Sequence, residues 1–214
     1  MHRKPLYLSF DDGVTKSDRS VIIEAIREIL SRAGAESFVS VSDVSDWKCH
    51  PRSHAGLTGW NSVQWYIETA AEYSRENQID TDALLLLLRN EPWQEKEHYD
   101  VLVSSRDFYA RDLNFCFGSG IHEFGMVLST ARFRGDPERL TTVTMHEMGH
   151  AFGLIPSTRT KNVTSSLGLH CTNRCIMRQG LTSSEWEAHA RDRITYGPFC
   201  QQCINDLRGY FAQA

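Results

Sequence analysis

TMHEMGHAFGLIPSTRTKNVTSSLGLHCTNRCIM, Thr144–Met177, is the stretch on which the reading of this chain turns. His146 and His150 stand four residues apart with Glu147 between them. On a helix that spacing is about one turn, so both imidazoles point to the same side and can meet one metal ion. A zinc ion that does chemistry takes three protein ligands and keeps a further position open. Two histidines therefore need a third donor. Pro156, six residues after His150, has no side-chain donor to give.

The HExxH pattern also gives Glu147 a role. A carboxylate beside the metal can take the proton of a metal-activated water, the arrangement used by zinc hydrolases. Val143, Ala151, Phe152 and Leu154 make the same segment apolar. A buried helix needs a reason to carry two histidines and a glutamate, because burying unpartnered polar groups is costly. Gly149 and Gly153 leave room for something to pack closely against it. Three sources qualify by distance as the third donor: His170 in GLHC, Glu185 or Glu187 in SSEWEAH, and His189.

The chain has 214 residues, enough for one large domain or two lobes around one cleft. Apolar residues make up 41% and charged residues 23%, as in an ordinary globular protein. The formal net charge of −4 gives no basic field for nucleic acid or an anionic membrane. The longest apolar run, residues 83–88 (ALLLLL), is too short to span a bilayer and suits a buried strand. Asp11 and Asp12 cut off the first apolar run, so no signal peptide is expected and the cytoplasm is favoured.

In that compartment close cysteine pairs bind metal more often than they form disulfides. Cys171 with Cys175 and Cys200 with Cys203 are two such pairs, suited to a tetrahedral structural zinc. Cys49 and Cys116 have no close partner and read as ordinary thiols.

Along the chain, LYLSF (residues 6–10) alternates as a strand does, and residues 17–34 repeat isoleucine at helical spacing before stopping at Gly34. SFVSVS (37–42) reads as a strand and residues 62–77 as a helix. ALLLLL and DVLVSS (100–105) read as core strands, giving an α/β lobe with a mixed sheet. Residues 114–133 read as an irregular loop leading into a strand, and 139–154 as the helix carrying HExxH. Thr182 or Ser183 caps a later helix, and CINDLRGYF (203–211) adds a short one.

Taken together, HEMGHAFGL, GLHC, Cys175-Ile176-Met177 and FCQQC, with LNFCFG and VLSTARF upstream, resemble the archaemetzincin family of small metzincin-clan zinc peptidases. The resemblance implies a single metallopeptidase domain. Residues 1–154 would form an N-terminal subdomain with the sheet and active-site helix, and residues 155–214 a small irregular C-terminal subdomain. It implies two zinc ions, one catalytic and one structural. His146, His150 and His170 would hold the first, with Glu147 as general base, and Cys171, Cys175, Cys200 and Cys203 the second. Met177 would be the methionine beneath the catalytic metal. The fourteen residues 155–168 read as an insertion that displaces the third histidine to His170, on a mobile Ser/Thr-rich loop. The segment 123–133 would border the cleft and pair with an extended peptide.

The expected activity is zinc-dependent hydrolysis of peptide or protein substrates by a cytoplasmic monomer, with no nucleic-acid or membrane partner. The alternative is a zinc-stabilised protein-binding module with a vestigial or latent site, since Pro156 and the insertion depart from the family pattern.

Overall fold

A computed structural model describes residues 4–45, 63–91, 94, 96–110, 113–133 and 135–212. Cys49 lies outside the described residues. In chain order the elements are β1 (Leu6–Phe10), α1 (Lys16–Ala33), β2 (Val41–Asp43), α2 (Val63–Glu72), β3 (Gln78–Asp80), α3 (Thr81–Arg89), β4 (Tyr99–Ser104), β5 (Asp107–Ala110), β6 (Leu113–Cys116), β7 (Gly118–Ile121), β8 (Gly125–Ser129), α4 (Pro137–Ala151), β9 (Val163–Thr164), β10 (His170–Cys171), α5 (Ser183–Tyr196) and α6 (Gln201–Ala212).

The main sheet has the order β2-β1-β4-β8-β7. Its first four strands run parallel, and β7 closes one edge antiparallel to β8. Helices cover both faces, so every residue of β4 and β8 is buried. Alternation decides which way each side chain points. Tyr99, Val101, Val103, Met126 and Leu128 join the core beneath α1 and α4, whereas Leu102 and Val127 join a second core beneath α2 and α3. A small sheet of order β3-β5-β6 lies beside the second core.

Local chemistry sets the helix ends. Thr15 caps α1 by accepting from the Asp18 N–H, and Gly34 ends it with a left-handed φ of 73°. Asp136 caps α4 by accepting from the Arg139 N–H, with Pro137 at its first turn. Thr182 and Glu185 form a capping box at the start of α5.

Several readings of the sequence are corrected here. ALLLLL is not a strand but the body of α3. Asp80 caps it, Leu84, Leu85 and Leu88 are buried, and Leu86 is 60% exposed. That is helical spacing, and unbranched leucine is among the better helix formers. In residues 114–133 the strand expected at the end is β8, but the irregular loop expected ahead of it is instead most of β6 and all of β7. The strand that borders the cleft is β7, because β8 is paired on both sides. Of the stretch 37–42 only its last two residues belong to a strand. No helix among the described residues is long and apolar enough to cross a membrane.

Gly120 explains why β7 looks unlike a strand in sequence. A Cβ there would lie 2.1 Å from the Glu147 carbonyl oxygen on α4. Only glycine lets the strand lie this close to the helix. Gly120→Ala is therefore expected to lose about 1–3 kcal/mol of stability through overpacking, read from urea denaturation. A wild-type midpoint would show that β7 does not press on α4.

Candidate active site

Burial pins α4 in place, and its polar residues find partners on other elements. His146 is 3% exposed, and its Nδ1 lies 2.7 Å from the Ile176 carbonyl oxygen. A carbonyl can only accept, so Nδ1 carries the proton and Nε2 presents a lone pair. One turn on, the His150 Nε2 lies 3.1 Å from that of His146. His170 arrives on β10, where it pairs with Thr164. Its Nδ1 lies 3.2 Å from the Gly168 carbonyl oxygen, which again leaves Nε2 free to coordinate. The ligating atoms of His146, His150 and His170 lie within 4.8 Å of one another.

Burial lowers the pKa of all three imidazoles, and their mutual proximity adds to it for His146 and His150. His150 falls to about 3. The three rings are therefore neutral at physiological pH, the form that binds metal. Two of them have their outer nitrogen tied to a backbone carbonyl, as ligating histidines usually do. The donor set fits a zinc ion with an open position.

Glu147 is buried beside them, and its Oε2 accepts from the Gly120 N–H at 2.9 Å. Burial lifts its pKa to about 7, against the opposing pull of that N–H. Met177 is fully buried beneath the helix. A Cβ on Gly149 would lie 2.5 Å from the Met177 sulfur, so this glycine makes the seat for the methionine. Trp186 stands edge-on to His146 at 4.9 Å and is held by its Nε1–H to the Gly180 carbonyl. A cleft of about 540 Å³ opens over the histidines, with Phe115, Gly118, Gly120, Leu169 and Trp186 in its walls.

The other candidates for the third donor are used elsewhere. Glu185 is exposed and accepts from the N–H groups of Leu181 and Thr182. Glu187 is exposed, 3.8 Å from Arg139. His189 is buried but contacts the Gln179 carbonyl and Arg178.

Behind this site Cys171, Cys175, Cys200 and Cys203 bring four sulfurs within 4.8 Å, none of them in a disulfide. They fit a tetrahedral zinc ion with every position filled. The Cys171 N–H donates to the Met177 carbonyl, and the Ile176 N–H to that of Pro198. The cysteine centre is thereby tied to the turn beneath α4. Cys116 lies in the wall of the cleft, and burial raises its thiol to about 12, as befits an inert cysteine.

A mixed sheet with an antiparallel edge strand, an HExxH helix beneath it, a distant third histidine and a methionine under the helix together define a metzincin-type fold. No family model matches the chain. The archaemetzincin of Nanoarchaeum equitans is 29% identical over 105 residues, which cover 49% of this chain and 49% of that protein. The chain thus spans about half the length of that curated relative. The crystal structure of archaemetzincin from Methanopyrus kandleri superposes with a TM-score of 0.65 at 26% identity, covering 99% of this chain and 97% of the other. A zinc-dependent peptidase from Methanocorpusculum labreanum shares the fold, with a TM-score of 0.54 at 17% identity over 94% of this chain and 99% of that one. In sequence over half its length, and in fold over nearly all of it, this chain is similar to archaemetzincins.

Sequence reasoning missed the partners of these residues: the Gly120 N–H, the Ile176 carbonyl, Trp186 and, on the inserted loop, Arg159. None has a motif of its own. Only the two glycines of β7, in the stretch just ahead of the helix, hinted at a close approach.

The thiol cluster makes an uneven prediction. Cys203→Ser should lower the unfolding midpoint by ~5–10 °C, since the fourth ligand of a closed site is lost. Cys116→Ser should change it little. Equal shifts in calorimetry would argue that the four cysteines hold no metal.

Proposed function

We propose that the protein is a zinc-dependent metallopeptidase. His146, His150 and His170 hold the catalytic ion, and Glu147 is the general base. The convergence of three neutral imidazoles beside a buried carboxylate, at the floor of an open cleft, carries this reading. The archaemetzincin relatives and the zinc-dependent peptidase of the same fold support it. Zinc, when bound, supplies a Lewis acid for the scissile carbonyl and lowers the pKa of a water.

The chain's own residues do the rest. The Gly120 N–H fixes one oxygen of Glu147. The carboxylate can accept a proton from water and return it to the leaving amine nitrogen. Burial raises its pKa, which helps it hold the proton between those two steps. Strand β7 is the sheet edge facing the cleft. An extended peptide can pair with its free backbone groups, and the glycines keep side chains out of the way. Trp186 and Phe115 give the cleft apolar walls that help exclude water.

The four cysteines hold a second, structural zinc, giving two ions per chain. Residues 1–154 and 155–214 serve as the two subdomains of one domain, with peptide or protein substrates between them. We take the active form to be a cytoplasmic monomer.

Two variants test the assignment. Glu147→Gln should lower turnover of fluorogenic peptides by about 10²–10⁴-fold with zinc content unchanged, because the ligands are untouched. Turnover like that of the wild type would remove Glu147 from the mechanism. A wild-type protein inert against broad peptide libraries would favour a binding module instead. His170→Ala should cost one of two zinc ions by elemental analysis and leave the cysteine site filled. Glu185→Ala should cost none, and a reversed pattern would transfer the third ligand to α5.

A further inference from the structure

The inserted loop carries one buried cation. The Arg159 side chain is only 2% exposed, and every nitrogen of its guanidinium donates. Nε donates to the Lys161 carbonyl at 3.0 Å. Nη1 donates to the Cys203 sulfur at 3.2 Å and to the Asp206 carboxylate at 3.0 Å. Nη2 donates to the Cys171 sulfur at 3.1 Å and to the Asn162 carbonyl at 3.1 Å. One planar fork therefore joins the loop's own backbone, one sulfur from each cysteine pair, and α6.

We propose that Arg159 is a positioning residue that clasps the inserted loop to the four-cysteine centre and thereby sets where His170 stands. The proposal rests on reading the three histidines as a metal site, and it deepens that reading.

The first argument is charge. Four thiolates around a divalent cation leave a net charge of −2, which is costly in a buried place. A guanidinium donating to two of the sulfurs offsets part of it and needs no further counter-ion. Lysine has the charge but not the fork, and cannot hold two sulfurs, a carboxylate and two carbonyls together.

The second argument is strain. Ile155, Asn162 and Leu167 lie in the left-handed region at φ 63°, 54° and 48°. A bulky non-glycine residue is strained there and persists only where its surroundings over-determine it, whereas asparagine tolerates the region better. Ile155, a β-branched residue, is the least suited of the three. The loop's own preferences do not hold this shape, so outside contacts must.

The third argument is connectivity. Asn162, whose carbonyl Arg159 holds, also accepts from the Thr172 N–H. The next residues, Val163 and Thr164, pair with Cys171 and His170. A short ladder thus runs from the guanidinium to the third histidine. The loop is therefore not the loose tether its composition suggests.

The test uses the zinc-loaded full chain, well below its unfolding temperature. Arg159→Met should release zinc from the cysteine centre to a metallochromic dye about 10–100-fold faster than wild type, the usual effect of losing an outer partner of a metal ligand. A broad-specificity protease should cut within residues 155–169 sooner, and a chelator should strip the histidine site at lower concentration. The reactivity of Cys116, in the cleft wall, should not change, which separates this effect from general loosening. Arg159→Lys should fall between the two. Asp206→Asn, which keeps the arginine but removes its carboxylate, should move the same readouts less far, and it carries the test if Arg159→Met does not fold. Wild-type zinc release and loop cleavage in Arg159→Met, or in both milder variants if it does not fold, would overturn the clasp. If the wild type holds metal only at its cysteines, the peptidase reading fails, while zinc release and loop cleavage still decide the role of Arg159.

Discussion

Helix α4 is buried along nearly its whole length, and the arrangement of the other elements answers to that. A buried helix cannot leave a polar side chain without a partner, because water is not there to supply one. His146 takes the Ile176 carbonyl, Glu147 takes the Gly120 N–H, and Thr144 returns its hydroxyl to the Leu140 carbonyl. The first two partners come from a turn thirty residues ahead and from the edge of the sheet. What remains unmatched on the helix is a pair of imidazole lone pairs facing a cleft. His170 adds a third. The same burial that makes these groups expensive keeps them neutral and ready for a cation.

Much of this was legible in the sequence wherever one residue type forces one geometry. HExxH, Pro156, GLHC and two close cysteine pairs each restrict what the chain can do, and the structure brings those residues together. The α/β lobe was legible as well, because β1 alternates, α1 repeats at helical spacing and β4 is a short apolar run. The reading failed where periodicity is silent. Five consecutive leucines have no period, so nothing in them separates a helix from a strand; the cap at Asp80 was the clue. A glycine-rich strand hides its alternation, because the side chains that would show it have been removed to let Glu147 approach.

The inserted loop shows a different limit. Its composition predicts mobility, yet one arginine outweighs seven small polar residues. Arg159 carries no signal in sequence, because it becomes meaningful only when residues up to forty-seven positions away meet around it. Loop length itself was a poor guide, since closure entropy grows only slowly with length. What matters is how many anchors the loop has and where they attach.

Tyr99 and Tyr210 share a hydrogen bond of 2.7 Å in the core, joining the middle of the sheet to the last helix. Phe211, beside Tyr210, packs on Phe38 and Phe152, which lie far earlier in the chain. The last turn of α6 is therefore part of the same core as β1, α1 and β4. Cooperativity follows from this. Residues from β1 to α6 share one hydrophobic core, so hydrogen exchange in α1 and in α6 should report a single unfolding event.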